Sequence, residues 1–287
     1  MAKNKVVLIV FWSVVAVILT AILIIGITDK NLFSRWGISF VNSKYTYDNA
    51  ERYRVGNDAV SVDGIEDIEI DWINGSVTVK SYEGKTVMFE ENRQENEDDR
   101  LRYMCDGKKL KVQFCKSGVY SNMNLRKDIT VYVPCSDMNL NCIKISTVSA
   151  DISMTDVDVE KTDTDTVSGR IELKDVTSEE IDADTVSGNI NIRGFADRIN
   201  GDTVSGNMEF WLKGCPKKLD CDTTSGEVVV SIPENDGFTA KIDTVSGTLR
   251  SDFKETEIEN KKIVYKIGSA DFKFDSVSGS VVIKRAD

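Results

Sequence analysis

The sequence predicts an all-β protein, a single-stranded parallel β-solenoid (β-helix) of about 19-residue rungs, preceded by one N-terminal transmembrane helix. Three observations carry this reading: a tetrapeptide that recurs at near-constant spacing, apolar residues alternating with period two on both sides of it, and one long uncharged stretch near the amino terminus.

The uncharged stretch comes first in the chain. Val6 to Ile27 is a run of 22 residues without a charge, and at about 1.5 Å per residue it spans roughly 33 Å, enough to cross a bilayer. A secretory signal peptide is the rival reading, with Lys3 and Lys5 as its basic region. The run exceeds the usual apolar core of such peptides, and no small-x-small cleavage site or lipid-accepting cysteine follows it. A retained anchor is therefore expected. Lys3 and Lys5 favour a cytoplasmic amino terminus and an extracellular C-terminal domain, although Lys30 and Arg35 weaken the asymmetry. The expected divisions are a cytoplasmic N-terminus (1–5), the membrane helix (6–27), a juxtamembrane linker (28–64), an N-terminal β-rich part of the solenoid or cap (65–145) and the repeat solenoid (146–287).

The repeat is Thr-Val-Ser-Gly or a close variant, starting at Thr147, Thr166, Thr185, Thr203, Thr223, Thr244 and Ser276. Its fourth residues lie at 150, 169, 188, 206, 226, 247 and 279, so the steps are 19, 19, 18, 20, 21 and 32. A diverged copy, IEIDWINGSVTV, runs from Ile68 to Val79. Apolar residues occupy the fourth and second positions before the Thr, as in Ile143 and Ile145 or Leu219 and Cys221. They also occupy the second and fourth after the Gly, as in Ile190 and Ile192. Each unit thus reads strand, tight arc, strand, loop, with a change of inward parity inside the motif. The arc glycines Gly75, Gly169, Gly188, Gly206, Gly226, Gly247 and Gly279 suit such a corner because glycine accepts positive φ. A unit this short cannot bury its own apolar face, so neighbouring units must stack; a tandem of separate hairpins would lack independent cores.

The stretch from Ser81 to Leu140 lacks the motif but remains β-rich. The 75 residues from Gly75 to Ala150 approximate four rungs, so degenerate solenoid and a hairpin-bearing cap both fit. The acidic run from Glu90 to Arg100 reads as a solvated loop.

Stacking turns repeated residues into columns. The position before the Thr is Asp71, Ser146, Asp165, Asp184, Asp202, Asp222, Asp243 and Asp275. Neighbouring carboxylates one strand apart repel by about 1 kcal/mol when solvated and by more in lower dielectric. One resolution is that each Asp caps its arc, accepting hydrogen bonds from backbone or hydroxyl donors. The other is a bound cation such as calcium, with Asp165, Asp184, Asp202, Asp222 and Asp243 as candidate ligands; the spacing matches no calcium-loop motif. Asp163, Asp182 and Asp220 lie two positions earlier. Together with Asp165, Asp184, Asp202, Asp222, Asp243 and Asp275 they make a candidate binding face. With Glu69, two positions before Asp71, the two columns hold eleven acids against Lys144, Lys241 and Lys273, a net of −8.

Composition narrows the chemistry. The 287 residues carry a net charge of −11 and no histidine, which removes imidazole catalysis and leaves no basic footprint for nucleic acid. The serines of the motif, Ser149 to Ser278, are better explained as a turn-stabilising hydroxyl row than as nucleophiles. Carboxylate pairs such as Asp163 with Asp165 and Asp182 with Asp184 admit a polysaccharide-active β-helix enzyme in principle. Only the insert after Gly247 is long enough to wall a cleft, so no catalytic residue and no cofactor is expected. The six cysteines fit no zinc spacing; Cys221 falls on an inward position, and Cys215 with Cys221 or Cys135 with Cys142 could pair by disulfide.

The anchor, the DTVSG units, and the lead-in ITVYVP…IKISTVSADISM with its echo VVVSIP…AKIDTVSGTLRS resemble the bacterial putative-adhesin family of β-strand-repeat proteins of unknown function, the LiaG-like group. The resemblance implies a membrane-tethered envelope protein with a solenoid fold and no assigned catalytic residues. The expected function is an adhesin-like or scaffold surface at the cell surface for an unknown envelope protein or polymer. The alternative is a regulatory partner of a membrane envelope-stress sensor. Because little sequence follows Val281, self-association through an uncovered last rung is also expected.

Overall fold

The structure is a computed structural model and describes residues 44–56, 59–92, 96–120, 125–135, 140–254, 257–259 and 261–286. The expected membrane helix at 6–27, its flanks up to residue 43 and the proposed orientation lie outside the described residues. Among the described residues no helix is long and apolar enough to cross a membrane.

The chain is a stack of parallel, in-register rungs. Each rung has an upstream strand, a tight arc at the repeated tetrapeptide, and a downstream strand. Asp67–Tyr82 and Cys142–Thr155 each form one rung and pair in parallel from Asp67↔Cys142 to Lys80↔Thr155. The diverged copy is therefore a full rung. Upstream strands then stack in the order Cys142, Lys161, Glu180, Arg198 and Lys218, and downstream strands follow from Ile152 through Ile171, Ile190 and Met208 to Val228. Ile143, Ile145, Ile152, Ile181, Ile190, Leu219 and Cys221 are buried as the alternation requires. Each large aliphatic side chain so sealed contributes on the order of 1.5–3 kcal/mol. Inward residues are odd-numbered before the arc at Thr147 and even-numbered after it, from Ile145 and Thr147 to Ala150 and Ile152, so the change of parity falls inside the motif.

Spatial order departs from chain order at both ends. Ala270–Ser276 and Val281–Arg285, the last unit in sequence, lie between the rung of residues 218–232 and that of residues 237–251: Leu219 pairs with Phe272, which pairs with Ala240, and Val228 pairs with Val281, which pairs with Leu249. The 32-residue step is the return from the outermost rung, which already contains Gly247, to the inserted one. Its hairpin, Glu257–Glu259 with Lys262–Lys266, lies antiparallel on Gly237–Thr244 and caps that strand. The last unit is thus covered on both sides, so the premise of an uncovered last unit does not hold. At the other end the outermost rung is Lys109–Gln113 with Lys127–Pro134, beyond Asp67–Tyr82. The interval between Gly75 and Ala150 therefore supplies one rung rather than four. Its remaining strands, Thr86–Glu91, Arg102–Asp106 and the short Val119–Tyr120, run antiparallel as a cap. From residue 44 onward the expected linker belongs to this cap, with Tyr45 and Val60 buried. Nine rungs among the described residues at about 4.8 Å make a rod roughly 40 Å long.

The acidic run is not wholly solvated. Glu91 is buried and bonds Lys127 Nζ at 2.5 Å, while that ammonium also donates to the carbonyls of Asp99 and Phe114. Trp72 and Phe114 flank it with ring centroids at 4.8 and 4.3 Å. Burial pushes the Lys127 amine below its usual range, and Glu91 opposes that fall.

Glycine is required at the arcs for proximity, not for handedness. Among the arc glycines only Gly75 has positive φ, 111°. A Cβ on Gly188, Gly206 or Gly226 would stand 1.8–1.9 Å from the carbonyl oxygen of the glycine one rung away. Gly279 faces Gly226 and Gly247 faces Gly279 in the same way, which follows the inserted order. Ala150 is tolerated where the chain runs unbroken beside Gly75.

Gly206→Ala should lower unfolding stability by about 2 kcal/mol or more, because backbone lies where the methyl would go; Ser205→Ala, at an exposed site, should stay within about 0.5 kcal/mol in the same urea titration. Glu91→Gln should cost about 3 kcal/mol by leaving a buried ammonium without its counter-charge.

Candidate functional site

The parallel register places the predicted aspartates in one line. In spatial order the row nearest the arcs is Asp71, Ser146, Asp165, Asp184, Asp202, Asp222, Asp275 and Asp243. The second row contains Lys144, Asp163, Asp182, Asn200, Asp220, Lys273 and Lys241. A third outward row adds Lys161, Glu180, Arg198 and Lys218.

That third row changes the electrostatics of the face. Lys161 bridges Glu180 and Asp182 at 2.6 Å each, Arg198 reaches Glu180 at 3.0 Å, and Lys218 meets Asp220 at 2.5 Å. Lys144 spans Asp163 at 2.7 Å and Asp165 at 3.1 Å. The face is therefore less acidic than the two-column count of −8 implies. Burial works against the Lys144 charge, but these two aspartates outweigh it and hold the amine above its usual range. Asp71 accepts from Gln113 at 2.6 Å. Of the nine face aspartates, five lack a basic partner among the described residues: Asp184, Asp202, Asp222, Asp275 and Asp243, which occupy five successive rungs.

The aspartates do not cap the arcs. That role belongs to the buried Thr, the first motif residue: Gly169 N donates to Thr166 Oγ1 at 3.0 Å, and Gly247 N to Thr244 Oγ1 at 2.9 Å. Thr147 and Thr166 hydroxyls bond each other at 2.8 Å. The motif serines are exposed instead, so the turn-stabilising hydroxyl row is made of threonines. Freed from capping, one oxygen of each of Asp184, Asp202 and Asp220 is sealed from solvent without a hydrogen-bond partner. Burial, then the charge of Asp202, pushes the Asp184 carboxyl up to about 7. Burial, with Asp202 and Asp275, pushes Asp222 to about 6. Burial likewise raises Asp202 and Asp275.

The proposed calcium ligands Asp165, Asp184, Asp202, Asp222 and Asp243 stand in a line, one to a rung. Among the described residues no three carboxylates or thiols converge where a metal ion would fit. Asp163 and Asp165, and Asp182 and Asp184, are same-face neighbours; the insert after Gly247 closes the end of the rod rather than walling a cleft over them. All six cysteines are free thiols, with Cys221 in the core.

One feature of the surface went unread in the sequence. Val167, Val186, Val204 and Val245 are 36%, 48%, 50% and 60% exposed, forming an apolar row along the arc edge beside the aspartates. The signal was present: within each motif Thr points inward, so the next residue points out.

Because the folded-state values of Asp184 and Asp222 are raised, their stabilising contribution is present at low pH and lost as pH rises through about 6–7. The melting temperature should therefore rise as pH is lowered from 8 to 5. Asp184→Asn should raise it at pH 8 and flatten that dependence; a melting temperature that falls over this range would contradict the unpaired row.

Comparison with known proteins places this geometry. Among solved structures the chain is similar to a putative cell adhesion protein from Clostridium sporogenes (13% identity, 82% of this chain and 99% of that chain, TM-score 0.40). It is also similar to a putative adhesin from Bacteroides fragilis (14%, 82% and 96%, TM-score 0.46). A third is a putative lipid binding protein from Parabacteroides distasonis (15%, 82% and 97%, TM-score 0.42). No curated protein matches the chain. Residues 65–284, from the first strand of the repeat to the end of the inserted unit, match the Toastrack DUF4097 family, and the chain belongs to that family.

Proposed function

We propose that this protein is a non-enzymatic display rod of the bacterial cell envelope, held to the membrane by residues 6–27, with the solenoid outside the cell as an adhesin-like or scaffold surface. The observation that carries the reading is the run of Asp184, Asp202, Asp222, Asp275 and Asp243 without basic partners, flanked by the exposed valines. These five carboxylates are thereby left for a cationic protein or polymer partner. The aspartate recurs on five successive rungs and the valine on four of them, with Thr224 in its place on the fifth, so the surface suits an extended partner better than a compact ligand. The absence of histidine from the sequence and the exposed, baseless serines support a role without catalysis. The resemblance to the LiaG-like group supports the envelope setting. With the anchor at the amino terminus, the cap of residues 44–134 lies toward the membrane and the rung of residues 237–251 lies farthest from it.

Protease treatment of intact cells combined with zero-length carbodiimide coupling, which joins carboxylates to amines, tests the reading. The proposal expects cleavage from outside and adducts mapping to Asp184, Asp202 or Asp222, lost in the triple Asn variant. Protection from external protease, or adducts that persist in that variant, would contradict it.

A further inference from the structure

We infer that the distal end of this face holds a second site of opposite preference, a groove that binds a phosphate oxyanion. The inserted unit creates it. Lys273 pairs in parallel with Lys241, and Lys241 pairs antiparallel with Lys262 of the cap hairpin, so three ammonium groups stand on adjacent strands of one face. With Lys261, Asp243 and Asp275 they line a shallow groove of about 540 Å³.

Elsewhere on this sheet lysines face acids across the strands, as in Lys144 with Asp163 and Lys161 with Glu180. Directly opposed like charges destabilise a sheet, and here Lys241 has a lysine opposite it on both neighbouring strands. Lys273 has Asp271 at 3.4 Å. Lys261 is committed to the carbonyl of Thr244. Lys262 stands opposite Glu259 in the register of the cap hairpin, and Lys241 has no ion pair among the described residues. An anion bridging Lys241, Lys262 and Lys273 relieves that repulsion, and a phosphate group, with several charged oxygens, matches three separate ammonium donors better than a lone carboxylate does. Asp243 and Asp275 on the arc-side wall repel the anion toward the lysines.

The test uses the full chain in a neutral detergent, with unfolding followed by intrinsic fluorescence. At millimolar inorganic phosphate, against chloride of equal ionic strength, the melting temperature should rise by about 2 °C or more. Lys241→Gln combined with Lys273→Gln should abolish the rise. Lys241→Gln alone should raise the melting temperature without phosphate, because a repulsion is removed. Short-chain phosphatidylglycerol, compared with phosphatidylcholine below micellar concentration, separates the sources. A rise with the former equal to or larger than that with inorganic phosphate assigns a lipid headgroup, and a rise with inorganic phosphate alone assigns a soluble one. No rise over chloride, a rise that survives in the double variant, or a loss of stability in Lys241→Gln would overturn the inference. So would phosphate-independent self-association abolished by the double variant, which would assign the lysines to the aspartates of a second copy.

Discussion

At five successive arcs of this solenoid, those of Gly188, Gly206, Gly226, Gly279 and Gly247, the α-carbon of the glycine lies against the carbonyl oxygen of a glycine one rung away, at a separation no side chain can enter. That contact fixes register. A slip of one residue would put Ser or the residue after the glycine at the crowded point and turn the apolar positions outward. At Gly169 and Gly247 the Thr hydroxyl of the motif accepts from the glycine amide exposed by the turn, so there close packing and hydrogen bonding demand the same tetrapeptide. Once register is fixed, every outward position becomes a row at strand spacing, and the charge pattern of the face follows without further choice.

The ends of the stack solve a different problem. A parallel rod has two open edges, which invite pairing with other chains. Here the chain travels past the position it will later occupy, builds the outermost rung, folds an antiparallel hairpin over it, and returns. The same device appears in mirror order at the amino-terminal end, where Asp67–Tyr82 lies one rung in from Lys109–Gln113 and Lys127–Pro134. Insertion at the carboxyl end also has an electrostatic consequence. It sets Asp275 between Asp222 and Asp243, extending the unpaired aspartate run, and sets Lys273 beside Lys241, creating the basic groove. One topological feature thus generates both charged regions at the distal end.

Much of this was legible in the sequence, and the remainder was hidden for identifiable reasons. The rungs, their inward residues and the buried Cys221 follow from spacing and alternation, because a repeat must present the same residues to the same core. The order of the last two units was not legible: periodicity tells which segments are equivalent but not which are neighbours, and the 32-residue step is equally consistent with a loop. Lys161, Arg198 and Lys218 were missed because they lie where strand merges with variable loop, outside the regular columns. Thr rather than Asp caps the arc because the threonine side chain already points inward at the turn, a distinction of one residue in parity. Glycine was correctly expected at the arcs for a reason the structure replaces, since steric proximity and not positive φ excludes larger residues.

The inserted unit is the claim on which the charged surfaces rest. In the structure Val228 N donates to Ser280 O at 2.9 Å and Val281 N to Thr248 O at 2.8 Å. Scalar couplings through hydrogen bonds, measured by NMR on the deuterated protein, report such pairs directly. The inserted order predicts couplings between Val228 nitrogen and the Ser280 carbonyl carbon, and between Val281 nitrogen and the Thr248 carbonyl carbon. A coupling from Val228 nitrogen to the Thr248 carbonyl carbon would place the rungs in chain order and contradict it.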